Sequence, residues 1–253
     1  MIGILISLCS KNQNWVDIGD IDLFKDFLDA FIYTVSGKHD YKFYLGYDEN
    51  DEFFKKNKNT IKIRLPKANI IELPKSCNAN PCKAWNLLLE EAVKEKCHYF
   101  YQVGSDIQHQ VLNWDDYFIK IMKKHNDDCI VGGVDFRYWC ERAIRDQSAI
   151  LENVFFSIKH YERFGFLFPP EVKSWFSDDL LTKIYRNVDK VFICPNIKFC
   201  NRNRVGQTNE KSRYVPPEKE AIAKNWHIHA NEYTKKGFPE IPVQKYNKKP
   251  IYN

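Results

Sequence analysis

The chain has 253 residues, of which 44% are hydrophobic, 15% aromatic and 28% charged, a balance that supports a packed core and excludes a disordered or collagen-like chain. Its formal charge of +5 is unevenly spread: from Asn201 onward 11 basic residues face 5 acidic ones, so the tail carries +6 and the first 200 residues −1. A neutral body speaks against a protein that binds nucleic acid over a broad folded surface.

Residues 2–8 are a short apolar run suited to a strand buried on both faces. No basic residue precedes it and no small-residue cleavage site follows, so it reads as a strand and not as a signal peptide. No apolar run approaches the roughly 18 residues of a membrane span. A polar loop over 9–20 leads to Leu23, Phe27, Phe31 and Val35, which recur at the spacing of one helix face. Residues 41–45 are β-rich and stop at Gly46, and 68–73 make a third short strand. Asn80 and Pro81 open a helix as cap and first-turn residue, with an apolar stripe through Ala84, Leu87, Leu88 and 91–93. Residues 98–103 form the central strand, stopped by Gly104 and Ser105. Residues 114–122 are helical, and 129–131 form a strand before a Gly132-Gly133 turn. The stretch 136–175 is dense in aromatics and is expected to cover the ligand edge of the sheet. Pro169 and Pro170 end a helix there, Ser177 caps the next, which runs to about Asn187, and 191–194 is a late strand. From Asn201 the chain reads as loop-rich.

This alternation predicts an α/β domain with a mainly parallel central sheet flanked by helices. Such sheets bind ligands beyond the carboxyl ends of their strands, here the loops after Leu8, Leu45, Val103 and Val131. The eight cysteines are irregularly spaced with no CxxC pair, as expected of free thiols in a reducing compartment. The expected location is the cytoplasm, that of a host cell if the chain is viral.

Three constellations stand at ligand edges. Asp106, in Gly104-Ser105-Asp106-Ile107-Gln108-His109, follows the central strand, where a carboxylate reaches a divalent cation or a diphosphate, although a lone Asp there also starts turns. Ser177-Asp178-Asp179 heads a helix behind Trp175 and Phe176; acidic residues suit a helix start, and a pair of them also suits a general base. Lys83 and Asn86 open the helix that precedes the Asp106 strand and face the same edge or solvent. Neither GxGxxG nor GxxxxGK[ST] occurs.

Taken together, the strand–helix start, Tyr47-Asp48 after the second strand, the Asn80-Pro81-Cys82-Lys83-Ala84-Trp85-Asn86 helix start, the strand ending in Gly104-Ser105-Asp106 and the later Trp175-Phe176-Ser177-Asp178-Asp179 resemble a GT-A-fold glycosyltransferase of the viral or bacterial GT2-like kind. The resemblance covers about residues 1–190. It implies a single Rossmann-like catalytic domain over 1–200, with a nucleotide-binding half (1–110) and an acceptor half (111–200), and a basic extension over 201–253 that packs on or closes over the site.

The implied reaction moves a sugar from a UDP-sugar to a hydroxyl of a glycan or protein, by inversion and with Mn2+ or Mg2+. The family's D-x-D triplet falls on Gly104-Ser105-Asp106, which keeps only the final, metal-binding carboxylate. Gln108, His227 and His229 are the further candidate metal ligands. Ser7, Asp48, Lys83, Asn86, Ser105 and Asp106 are implied to bind the donor, and Asp179 or Asp178 to act as base. Arg202, Arg204, Lys211 and Arg213 supply positive charge that a closing segment brings to a diphosphate. Two other classes remain open. A nucleic-acid or anionic-surface module acting through the tail would mix aromatic and basic residues, which here lie apart. A nucleotidyltransferase would carry a glycine-rich basic loop, whereas residues 7–13 hold one lysine and no glycine.

Overall fold

The computed structural model describes residues 1–136, 148–202, 222 and 224–242. One eight-stranded sheet runs in the order β3-β2-β1-β4-β7-β6-β8-β5. Strand β1 (Ile2–Leu8) lies between β2 (Tyr41–Asp48) and β4 (Tyr99–Gln102), parallel to both, and β3 (Asn69–Leu73) pairs parallel with β2. Strand β7 (Val154–Ser157) runs antiparallel between β4 and β6 (Ile130–Asp135). Strand β8 (Val191–Asn201) continues parallel to β6 and takes β5 (Ile107–His109) antiparallel at the edge.

Helices cover both faces. Helices α3 (Pro81–Lys94) and α6 (Ser177–Arg186) pack on the core that contains Leu88, Phe100, Phe156, Leu180 and Tyr185. Helices α1 (Leu28–Thr34) and α4 (Trp114–Lys124) pack on the other, with Phe31, Tyr101, Trp114, Phe118 and Phe155. Alternation along each strand sends Phe100 and Tyr101, like Phe155 and Phe156, to opposite faces. Register then stacks like on like: Phe100 pairs with Phe156, their rings 5.4 Å apart. Fully buried, each such ring contributes about 2–3 kcal/mol of apolar transfer.

Several sequence expectations change. Gly46 does not end β2 but lies inside it, because Leu73 and Leu88 crowd the place of its Cβ at 2.8 and 3.0 Å. Gly132 and Gly133 are likewise internal to β6 rather than a turn. A Cβ on Gly133 would lie 2.3 Å from the Ile197 carbonyl, where the β6–β8 register shifts. Helix α2 (Glu52–Arg64), capped by the Asp51 carboxylate on the Phe54 N–H, escaped the sequence reading because Lys and Asn dominate it and only Phe54 and Ile61 are buried. The helix expected before Pro169 and Pro170 is α5 (Ile158–Phe164), which stops earlier, at Gly165 in the left-handed region, φ 76°.

The tail is not only loop. Helix α7 (Trp226–Gly237) docks on α6, with Asn187 Nδ2 donating to Asn231 Oδ1 at 2.9 Å and Thr234 Oγ1 donating to the Ile184 carbonyl at 3.1 Å. The seven described cysteines are all free. No helix among the described residues is long and apolar enough to cross a membrane.

Candidate active site

The parallel strands β3, β2, β1 and β4 end at one edge. Antiparallel β7 begins there: Val154 lies opposite Gln102, so Asn153 sits beside the chain that follows β4. Ser7, half-buried near the end of β1, leads into a turn held by Asp51, whose carboxylate accepts the Ser10 N–H at 2.8 Å and its hydroxyl at 2.6 Å. Half-buried Asp48 ends β2. Burial and the neighbouring Asp51 push its carboxyl pKa up, and Lys11 pulls it back. Cys77, close by, has its thiol pushed up to about 11 by burial, with Lys83 opposing and Asp48 reinforcing the shift. Asp48 and Lys83 therefore both act on the Cys77 thiol.

Asn86 has a different task. Its Oδ1 accepts the N–H groups of Leu167 and Phe168, both at 2.9 Å, and its Nδ2 donates to the Phe168 carbonyl at 2.7 Å. Both oxygen lone pairs are used, so Asn86 brackets residues 167–168 onto α3 rather than offering an acceptor to a donor nucleotide. The lysine and the asparagine of the helix start thus part company.

Ser105 and Asp106 follow β4 and are buried, at 4% and 8% exposure. The Gly104 N–H donates to Asn153 Oδ1 at 3.2 Å, and the Asp106 carbonyl accepts the Arg202 N–H at 3.0 Å. A Cβ built on Gly104 would lie 2.6 Å from Asp106 Oδ1. The space that a first aspartate of a D-x-D triplet would need is thus taken by the side chain of the last one. Gln108, the other candidate ligand on this segment, donates its Nε2 to Asp26 Oδ1 at 3.0 Å. His109 is buried, stacked on Trp114 at 4.3 Å, with its pKa pushed down to about 3 by burial.

Asp178 and Asp179 stand in the first turn of α6. Ser177 is not the cap; Phe176 holds that position in the left-handed region, φ 67°, and the Ser177 hydroxyl donates to the Ser174 carbonyl at 2.8 Å. A bulky residue in that conformation is strained, as is common where a chain is forced to present a site. Asp178 Oδ1 accepts the Asp179 N–H at 3.3 Å, whereas Asp179 is the more deeply buried of the two, at 7% exposure. Residues 148–153 tie this helix to the Asp106 turn. The Leu151 N–H donates to Thr182 Oγ1 at 3.0 Å, and Asn153, two residues on, holds Gly104.

Arg202 ends the described part of β8's continuation and sits on the Asp106 carbonyl. Arg204, Lys211 and Arg213 lie outside the described residues. His227 and His229 occupy helix α7, not a strand; two residues apart on a helix they point about 200° apart, and His229 pairs with Glu232 at 3.5 Å. Among the described residues no three His, Cys, Asp or Glu side chains gather to hold a metal. Asp51, Asp135, Asn153 and Asp26 were not singled out in the sequence. Asp135 ends β6 at 1% exposure, with its Oδ2 accepting the Asn201 N–H at 3.3 Å.

A sheet ordered 3-2-1-4 through its parallel strands, followed by antiparallel β7 and with acidic groups at the strand-end edge, is the GT-A form of the Rossmann-like fold. No family model matches the sequence, and no characterised protein matches it at the sequence level. Solved structures do match by shape. S. aureus TarS residues 1–349 in complex with UDP-GlcNAc superposes with a TM-score of 0.59 at 14% identity, covering 96% of this chain and 68% of that one. The mannosyltransferase PcManGT from Pyrobaculum calidifontis, in complex with GDP-Man and Mn2+, gives 0.59 at 14%, covering 92% and 69%. GalNAc-T7 with UDP, GalNAc and Mn2+ gives 0.64 at 11%, covering 92% and 50%. Against a longer TarS structure the match spans 36% of that protein. At these identities the likeness is one of fold, and the fold is GT-A.

Proposed function

We propose that the protein is a glycosyltransferase that moves a sugar from a UDP-sugar to an acceptor hydroxyl of a glycan or protein, with inversion and assistance from a divalent cation. The observation that carries the reading is the link from the buried Asp106 turn through Asn153 and Leu151 to Thr182 of α6, the helix whose first turn holds Asp178 and Asp179. In this reading a carboxylate suited to a metal-bound diphosphate and a carboxylate suited to a base serve one edge of a GT-A sheet.

In this reading Asp48, Lys83 and Ser7 meet the nucleoside, and Ser105 and Asp106 meet the diphosphate. The positive charge of Arg202, with that of Arg204, offsets charge that gathers on the leaving group. Asp106 fits Mn2+ or Mg2+ as a hard oxygen ligand, since such ions bind through one or two carboxylates plus substrate phosphates. When bound, the cation would neutralise the departing diphosphate. Asp179 accepts the proton of the acceptor hydroxyl as its oxygen attacks the anomeric carbon, and the carbon–diphosphate bond breaks on the opposite side. Asp179 is preferred to Asp178 as the base because it is the more deeply buried of the two.

Asp179→Asn tests this assignment. UDP binding measured by calorimetry should survive while sugar transfer and donor hydrolysis are lost. If only Asp178→Asn has that effect, the base is Asp178. If neither variant changes turnover, this helix does not supply the base.

A further inference from the structure

The helical segment before α1 does not begin as an α-helix. Leu23–Phe27 form a π-helical turn, a geometry that regular helices avoid and that recurs at functional positions. The turn carries Asp26, whose side chain is only 12% exposed. Burial pushes its carboxyl pKa up, and the Arg202 charge works against that rise. Two groups meet the same oxygen: Gln108 Nε2, which donates at 3.0 Å, and Arg202 Nε, which forms an ion pair at 3.5 Å. A carboxylate this enclosed needs such partners to remain charged.

Those two partners come from adjoining strands. Gln108 belongs to β5, and Arg202 follows β8, the strand that pairs with β5. Beyond the Ile107–Asn201 pair, the Arg202 N–H donates to the Asp106 carbonyl at 3.0 Å, which adds one rung to the ladder. Asp26 thus grips both chains within two residues of Asp106. On the far side Gly104 is held by Asn153 at 3.2 Å. The short segment that carries the Asp106 carboxylate is fixed at both ends, once from β7 and once from the helix layer.

We infer that Asp26 is a positioning residue for Asp106, acting through Arg202 and Gln108. Its catalytic consequence rests on the transferase reading; its structural consequence does not. Asp26→Asn keeps the volume and an oxygen for Gln108 but removes the charge that holds Arg202. In amide hydrogen exchange on the full chain, the Arg202 amide should exchange about tenfold faster in Asp26→Asn while the melting temperature stays within a few degrees of wild type. Asp26→Glu should restore slow exchange. With a UDP-sugar as probe, kcat/KM should fall about tenfold in Asp26→Asn and recover in Asp26→Glu, as expected of a carboxylate displaced by a fraction of an ångström. Unchanged exchange at Arg202 in Asp26→Asn overturns the inference. If Asp26→Asn does not fold, Gln108→Met, which removes one of the two partners, is read in the same way. A wild-type chain that neither binds UDP nor turns over any UDP-sugar overturns the transferase reading alone, and exchange at Arg202 still decides the positioning role.

Discussion

Gly104→Ala makes the sharpest test of the Asp106 geometry. The added Cβ would stand 2.6 Å from Asp106 Oδ1, with Ile107 Cγ1 next at 3.5 Å. Non-bonded carbon contacts are comfortable from about 3.5 Å, so the carboxylate oxygen must retreat by roughly 0.9 Å. Nothing else clashes with the added Cβ. The backbone at Gly104 is not in the left-handed region, and no other atom lies inside ordinary contact distance. The fold should therefore lose less than about 1 kcal/mol, as for a substitution with no buried clash against backbone. Misplacing a catalytic group by about 1 Å can cost 10²-fold in rate, so donor kcat/KM should drop by roughly 10- to 100-fold. Gly104→Asp, which would complete a D-x-D triplet on paper, should impair the protein in the same way. The assay is steady-state UDP-sugar hydrolysis or transfer alongside a melting curve for each variant. Wild-type kcat/KM in Gly104→Ala would refute the idea that Asp106 works from this position. A large fall in melting temperature would refute the claim that only its side chain is in the way.

Other expectations concern stability. His109 and His160 are buried, and burial lowers their pKa values from 6.5 to about 3 and about 4. The unfolded chain binds these protons below 6.5 and the folded chain does not. Stability is therefore complete above 6.5 and declines as the pH falls toward about 4 and 3. At pH 5 each histidine should cost about 2 kcal/mol, and urea midpoints at pH 7 and 5 in wild type and His109→Phe should differ less in the variant; an identical pH dependence would count against the buried neutral imidazole. Asp128 receives Arg163 and Lys190, whose charged ends lie 4.0 and 5.1 Å from the Phe238 ring that follows α7. Asp128→Asn should cost about 1–3 kcal/mol and speed amide exchange across α7, because two half-buried cations lose their shared anion; no change in either would show that α7 docks through Asn231 and Thr234 alone.

Much of the sheet was legible in the sequence because parallel strands buried on both faces announce themselves as short apolar runs, as residues 2–8 do. The Asn80-Pro81 helix start was legible for a similar reason, since cap chemistry is local. Helix α2 was not, because its stability comes from two buried residues and an aspartate cap rather than from a visible stripe. The glycines of β2 and β6 misled because a glycine that yields to a neighbouring chain looks, in sequence, like one that turns. The proposed site is legible where a residue is placed by its own strand end, as Asp48 and Asp106 are. It was not legible where partners come from far along the chain. Asn153 reaches Gly104 across 49 positions and Gln108 reaches Asp26 across 82, and no local spacing encodes either contact. Asn86 shows the converse, a motif residue whose hydrogen bonds are all drawn to the backbone of a loop more than 80 residues away.

Nucleotide recognition tests the transferase reading most directly. The full chain should be titrated with UDP, GDP and CMP, each with and without Mn2+, and its melting temperature followed. UDP with Mn2+ should stabilise the chain most, by about 2.7 kcal/mol at one hundred times the dissociation constant, and Asp106→Asn should remove the part that depends on Mn2+. Equal, salt-sensitive shifts with all three nucleotides that vanish on truncating residues 203–253, or no shift with any of them, would contradict it.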